Sequence, residues 1–423
     1  MIEVINWFTF VWLTLILIYS IVSLMKRNRS SIHFIIIVFY VFFALPLFFE
    51  VFIGTPRYDF KPGFQIATKD FKTNLIYCLY ISIIPLIWFT TSKPKKIYDV
   101  SIFEQSSALK SLLKGILVLF ILSPAVALLF APDPGVYLNY AVSKKDLLHG
   151  DIGIYHQNIA TLSTLSVISL GGFLILSQKN IIRYLMLFSP FYGLAVWTNG
   201  KRFILVLLMV IIFYILWQKG ILKGIKLIAG GLAFITILLV YSYSYELDTR
   251  YTSSTDFATV YQNNRIDYGR DDVTKMTIYS ELDGNPILEY RGQSLLFYIT
   301  MFIPREIWQD KPWPYAIYVT ATLTGETDAY FYYGWSMTTS ILEEAISNFG
   351  WIGMLIGPLL ISFICRTGDK YSSSLLSVLT VVVGSLLLVL QMTAFAPLVI
   401  MWIFIVLFYK VQVHTSKYHR SAS

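Results

Sequence analysis

The chain has 423 residues, of which 56% are hydrophobic and 14% charged, against about 45–50% and about 25% in a soluble domain. With 17% aromatic residues and a mean hydropathy of +0.63, it is neither a disordered chain nor a nucleic-acid-binding domain, despite a net charge of +8. A soluble enzyme is excluded on the same grounds, and the basic pI calls for another explanation.

The apolar residues come in blocks of about 17–25, the length that crosses a ~30 Å hydrocarbon core as a helix. Eleven spans are predicted, near 5–25, 32–53, 72–92, 112–131, 154–177, 181–198, 203–217, 224–243, 347–365, 374–391 and 393–409. The fold class is therefore all-α, a polytopic membrane helical bundle. No basic segment precedes the first block, and Lys26-Arg27-Asn28-Arg29 follows it. That pattern is an uncleaved helix with its N-terminus outside, not a signal peptide.

Charge sets the orientation. The breaks at 26–31, 93–111 with Lys114, 178–183, 218–226, 366–373 and 410–423 hold 18 basic residues, with Asp99, Glu104 and Asp369 as their only acids. The rest of the chain holds 15 basic and 22 acidic residues. This alternation follows the positive-inside rule and predicts N-terminus out and C-terminus in. The pI is a topology signal.

The chain then divides into 1–243, a bundle of eight spans; 244–346, a large outer loop; and 347–423, three spans with an inner tail. Long loops are functional or disordered. This one carries Tyr261, Tyr268, Trp308, Trp313, Tyr330 and Trp335 among its aromatics, whereas disordered segments are poor in them. Leu295–Pro304 is too short to span and reads as an interfacial or re-entrant helix. Asp99–Ser111 reads as an interfacial helix on the inner side. An aromatic, Arg- and Asp-bearing loop above a bundle suits a polar, lipid-attached ligand. An aromatic belt at headgroup level accounts for about half of its tyrosines.

Arg202 opens the seventh span directly after Thr198-Asn199-Gly200-Lys201. A cation pair at a helix N-terminus, with free N–H groups, can bind phosphate. The alternative, snorkelling to headgroups, fits Lys201 better than Arg202. Arg305 lies in Ile303-Pro304-Arg305-Glu306-Ile307-Trp308-Gln309-Asp310-Lys311-Pro312, rigid between two prolines. Its alternative is a salt bridge to Glu306 or Asp310 with Trp308 as anchor. Arg291, beside Tyr290, is a third candidate phosphate contact. Solvated loop arginines are the alternative for it and for Arg250, Arg265 and Arg270.

Glu343 and Glu344 precede Asn348-Phe349-Gly350. Consecutive helical side chains diverge by about 100°, so one at most faces a given cavity as a general base. Helix capping is the alternative. His156, between Tyr155 and Gln157, is the other candidate base, with an interfacial structural histidine as its alternative. Cys78 and Cys365 lie at different depths and form no disulfide. The five histidines form no metal cluster. Gly54–Phe71 has no Asp-x-Asp pair, so metal dependence is not implied.

Three elements carry a family resemblance: Thr198-Asn199-Gly200-Lys201-Arg202; Pro304-Arg305-x-x-Trp308-x-x-Lys311-Pro312; and Glu344-x-x-x-Asn348-Phe349-Gly350-x-x-Gly353. With them the chain resembles bacterial O-antigen and capsule repeat-unit polymerases of the Wzy-like type. Family members are often drawn with twelve or more spans. The resemblance implies a GT-C-like bundle in the bacterial cytoplasmic membrane with its active site facing outward. The donor would be a glycan on undecaprenyl diphosphate, and the acceptor a repeat unit on the same carrier. It implies Arg202, Arg305, Glu344 and His156 as catalytic groups, and Arg291, Arg270, Lys311, Trp308, Tyr290, Asn348 and Lys201 as substrate contacts. No cofactor is implied. The implied partners are the lipid-linked oligosaccharide, membrane lipids and a chain-length regulator protein. An O-antigen ligase shares the large loop and the arginine chemistry. A flippase is the non-enzyme rival, though it would show inverted repeats and charges deep in the membrane.

Overall fold

A computed structural model describes the chain apart from residues 59–60, 101–106, 139–150, 178, 200–201, 250–256, 328–335 and 422–423. Among the described residues the protein is helical with no strand, and one isolated parallel bridge joins Tyr98 and Tyr371. Among the described residues, eight helices are long and apolar enough to cross a membrane: Ile2–Met25, Ile32–Phe52, Phe71–Thr91, Lys110–Leu129, Asn158–Leu176, Ile181–Asn199, Ile341–Gly368 and Met392–His414. The other three apolar blocks fall on the shorter apolar helices Phe203–Gln218, Ile225–Ile237 and Ser374–Val389. The protein is thus a polytopic helical membrane protein.

The chain packs as two compact units. The first comprises Met1–Tyr98, Ser254–Ser372 and Leu379–Ser423, the second Asp99–Ser253 with Ser373–Val378.

In the first unit the span Ile32–Phe52 is interrupted by a π-helical turn, Tyr40–Ala44. Pro46 has no N–H to give the carbonyl of Phe42 four residues back. That carbonyl instead accepts the backbone N–H of Arg270 at 3.0 Å, and the carbonyl of Phe43 accepts the Tyr77 hydroxyl at 2.8 Å. The widened turn therefore docks the large loop and a neighbouring span. Asp70 caps the span Phe71–Thr91, accepting the Thr73 N–H at 2.7 Å, a cap worth about 1 kcal/mol. Further along, Trp88 donates to the carbonyl of Pro358 at 3.0 Å.

The large loop is folded. It contributes the helices Phe257–Tyr268, Asp271–Leu282, Gln293–Thr300 and Tyr315–Thr324. Val273, Met276, Leu288, Tyr315, Val319 and Leu323 share one buried cluster with Tyr58, Phe64 and Ala67 from the 54–71 loop. Both loops thus join one aromatic-rich core. The Gln293–Thr300 helix and the turn after it leave Ile299, Phe302 and Ile307 exposed, an apolar edge suited to a membrane interface. The Asp99–Ser111 segment lies partly outside the described residues, and the helix there begins at Ser107.

The span at Ile341 breaks after Phe349. Gly350 has φ +61° and ψ −146°, a conformation essentially restricted to glycine. A Cβ on Gly353 would collide with the carbonyl of Ala345. The Gly-x-x-Gly pair thus encodes a tight backbone offset within the span.

In the second unit, Tyr155 donates to the carbonyl of Ala127 at 2.6 Å, Ser166 to Ile121 at 2.9 Å and Asn199 to Ala160 at 2.9 Å. These bonds tie together the helices Ser107–Leu129, Asp151–Leu176 and Ile181–Asn199. Cys78 and Cys365 are buried free thiols.

Candidate functional site

Ser340 is the N-cap of the Ile341–Phe349 helix. Its side chain and that of Glu343 form a reciprocal capping box, which satisfies two otherwise orphaned donors. Glu343 is thereby a capping residue. The next carboxylate, about 100° round the helix, faces the Gln293–Thr300 helix instead. Glu344 is only 1% exposed and accepts from Ser294 Oγ at 2.7 Å and from the Tyr298 hydroxyl at 3.0 Å. Burial and the adjacent Glu344 carboxylate hold the Tyr298 phenol far above its ordinary pKa, so it stays a donor. Asn348, one turn further, donates to Ser294 Oγ at 2.7 Å and to the carbonyl of Glu344 at 2.8 Å. Its Oδ1 is a buried acceptor with no partner among the described residues.

Arg291 precedes the Gln293–Thr300 helix by two residues. Its guanidinium forms a bidentate pair with Glu281, 2.6 Å on both arms, and donates to the carbonyl of Ser347 at 2.8 Å. The hydrogen bonds to Glu281 raise its already high pKa. Its side chain nonetheless remains 47% exposed. Gly350 lies beneath this guanidinium, with room for a Cβ only at van der Waals distance from it. Tyr290, Phe349 and Trp351, its neighbours or those of Gly350 in sequence, are all exposed.

The Pro-Arg-x-x-Trp-x-x-Lys-Pro element is a self-clamped turn. Lys311 donates back to the carbonyls of Ile303 at 2.9 Å and Met301 at 3.1 Å. Arg305 donates forward to Lys311 at 2.7 Å, Pro312 at 2.9 Å and Gln309 at 3.3 Å, and lies 3.2 Å over the Trp313 ring. The salt bridge to Glu306 or Asp310 expected as the alternative does not form among the described residues, because backbone carbonyls take the guanidinium. Three of its five N–H donors are so used, and the group is only partly buried. Trp308 is half-buried.

Arg202 begins the helix Arg202–Gln218 as expected; its side chain and the whole of Lys201 lie outside the described residues. In the same unit His156 Nδ1 is 3.3 Å from the Tyr137 hydroxyl, and the two rings stack.

Two of the loop arginines are far from solvated. Arg270 is buried, donating to the carbonyls of Val389 and Gly269, 2.9 Å each. Arg265 is buried in an ionic network absent from the sequence reading. Its NH2 group meets Asp271 at 2.7 Å, Glu50 at 3.1 Å and Asp272 at 3.2 Å. Lys275 adds contacts to Glu50 at 2.7 Å and Asp271 at 3.3 Å. Asn6 donates to the other Glu50 oxygen at 2.9 Å, and Tyr58 donates to Asp272. Burial opposes the charge on Lys275, but Glu50 and Asp271 outweigh it and hold its pKa above the ordinary lysine value. Burial pushes the Asp271 carboxyl up to about 7 against the pull of Arg265. Glu50, Asp271 and Asp272 bring oxygens within 4.8 Å of one another, a spacing a divalent ion could use. The shared oxygens Glu50 Oε1 and Asp271 Oδ2 already accept from both cations. The signal for this network was Glu50, an acid inside an apolar span, which is a functional or structural marker by default.

No protein-family model, curated protein or solved structure matches the chain.

Proposed function

We propose that this protein is a membrane-embedded glycosyltransferase that polymerises oligosaccharide repeat units carried on undecaprenyl diphosphate, as its Wzy-like motifs imply. The observation that carries this reading is the convergence of the Glu344–Gly353 element with Ser294, Tyr298 and Arg291 of the large loop. It leaves one guanidinium half-exposed among exposed aromatic residues, a chemistry suited to a sugar diphosphate. The proposed bundle has eleven crossings, N-terminus out and C-terminus in, in the bacterial cytoplasmic membrane.

In the proposed reaction an acceptor hydroxyl oxygen attacks the anomeric carbon of the donor. The bond from that carbon to the diphosphate oxygen breaks, and its electron pair leaves with the diphosphate. The hydroxyl proton passes to a base or to solvent. Arginines stabilise the charge that develops on the leaving oxygen. Arg291 is held for this by Glu281 and the Ser347 carbonyl, and Arg305 by three carbonyls and Trp313. Glu344 is a positioning residue here: it anchors the helix that follows Arg291.

Purified protein incubated with lipid-diphosphate-linked repeat units should produce a gel ladder of glycans. Transfer of preformed chains to another lipid without a ladder would assign a ligase instead, and no transfer would remove the reading. The ladder should survive EDTA, because cationic side chains supply the phosphate charge compensation. Loss that added divalent ions restore would refute the arginine account. For topology, single cysteines at Ser253, which lies outside the described residues, and at Thr324 should label from outside. A cysteine at Ser373 should label only after permeabilisation, and the reverse pattern would invert the bundle.

A further inference from the structure

In the first unit, three separate chain segments meet around a half-open cleft of about 160 Å³. Tyr98 comes from the segment after the third span, Lys370 and Tyr371 from the turn after Gly368, and Lys410, Val413 and His414 from the last helix. The backbone fixes this meeting. The Tyr98 N–H donates to the carbonyl of Lys370, and the Ser372 N–H to that of Tyr98, both at 2.8 Å. Tyr371 stacks on Tyr409 at 5.6 Å. Lys370 lies 5.4 Å over the Tyr98 ring, and Lys96 lies 5.5 Å over the same ring.

The acid nearest in sequence does not neutralise these cations. Asp369 is turned away, accepting the Ser31 hydroxyl at 2.5 Å, the Ser31 N–H at 2.9 Å and the Ser30 hydroxyl at 3.1 Å. Neither Lys370 nor Lys410 has a carboxylate partner among the described residues. Snorkelling alone would spread lysines outward into water. Here aromatic rings and a backbone bridge hold them around a concave surface.

The last helix supplies the second half of the argument. Ile400, Ile403, Leu407, Lys410 and His414 recur at intervals of three and four, so they form one stripe. The first three are exposed apolar residues, and the stripe ends in the cationic cleft. That is the outline of an amphiphile with an anionic head. We propose that the cleft binds the phosphate of an anionic phospholipid, with Lys370, Lys410 and His414 around the phosphate and an acyl chain along Ile400, Ile403 and Leu407. Basic pockets between membrane helices bind anionic headgroups by this chemistry. The site is independent of the glycosyl-transfer reading.

A free phosphate offers the same anion without the chain, and the two sources can be separated. Purified full-length protein in detergent is titrated with phosphatidylglycerol, phosphatidylcholine or inorganic phosphate, and bound lipid is read by native mass spectrometry. Phosphatidylglycerol should be retained at least about tenfold more strongly than phosphatidylcholine, and millimolar phosphate should not displace it. Lys370→Gln with Lys410→Gln should lower its retention by about tenfold or more, a change of about 1.4 kcal/mol shared between two charge contacts. Lys370→Arg with Lys410→Arg should keep it, and Lys95→Gln, at an exposed lysine outside the cleft, should leave it unchanged. Should the double glutamine variant not fold, Lys410→Gln alone, at an exposed position, gives the same comparison. Equal retention of the two lipids, or wild-type retention by the glutamine variant, would overturn the proposal. Displacement by inorganic phosphate would overturn the lipid assignment and leave a soluble-anion site.

Discussion

Lys275→Ala should destabilise the protein by about 3–5 kcal/mol, the usual loss when one partner of a buried ion pair is removed. Lys275 is fully buried, and its ammonium touches Glu50 and Asp271. Alanine leaves both carboxylates facing one cation, Arg265, which Asp272 also shares. Lys275→Met keeps most of the volume and should fare little better, because the uncompensated charge, not the cavity, dominates. Lys95→Ala, at an exposed site, should stay within about 0.5 kcal/mol.

The deficit should also depend on pH. Losing Lys275 raises the folded-state pKa of Asp271 above the value near 7 that burial already gives it, while its unfolded value is unchanged. An acid with a raised folded pKa is stabilising in its protonated form and loses that contribution as pH rises. The gap between variant and wild type should therefore widen above neutral pH and narrow in acid. Thermal unfolding in detergent across that range reads this directly. A Lys275→Ala protein melting like wild type at pH 8 would show that the network does not hold the large loop on the bundle.

If the proposed function holds, Arg202→Ala and Arg305→Ala should each slow the proposed polymerisation by at least about tenfold to a hundredfold, at 1.36 kcal/mol per decade. A charged hydrogen bond to a desolvated phosphate contributes roughly 1.5–3 kcal/mol. Lysine keeps the charge but not the planar fork, so Arg→Lys should be impaired as well. For Arg305 the lysine variant also breaks the clamp onto Lys311, Gln309 and Pro312. Arg250→Ala should be close to wild type. Variants must be compared at equal membrane levels, because a rim charge affects insertion too. Normal long chains from both alanine variants would remove these two arginines from the proposed reaction. Arg291 would then be tested next, since Arg270 is buried against Val389.

The capping alternative weighed for the acid pair fits Glu343 but not Glu344. Ser340 three residues before Glu343 is a local capping signature, so that role was legible in the sequence. The engagement of Glu344 with Ser294 and Tyr298 joins residues 50 and 46 positions apart, and no spacing rule reaches that far. The arginines show the same division. Arg305 is held within its own ten-residue turn, though by carbonyls and not by the neighbouring acids. Arg265 pairs with Glu50 across 215 positions.

By itself the sequence determined what depends on one dimension. The apolar blocks that form the eight long helices have the length that crossing hydrocarbon requires. Glycine at Gly350 is likewise a local demand of its backbone angles. Only the tertiary structure decided which charges are buried together. Burying an ion depends on the partner the fold brings to it, and Glu50, Arg265, Asp271 and Lys275 become a network only when the Ile32–Phe52 span and the large loop are packed side by side.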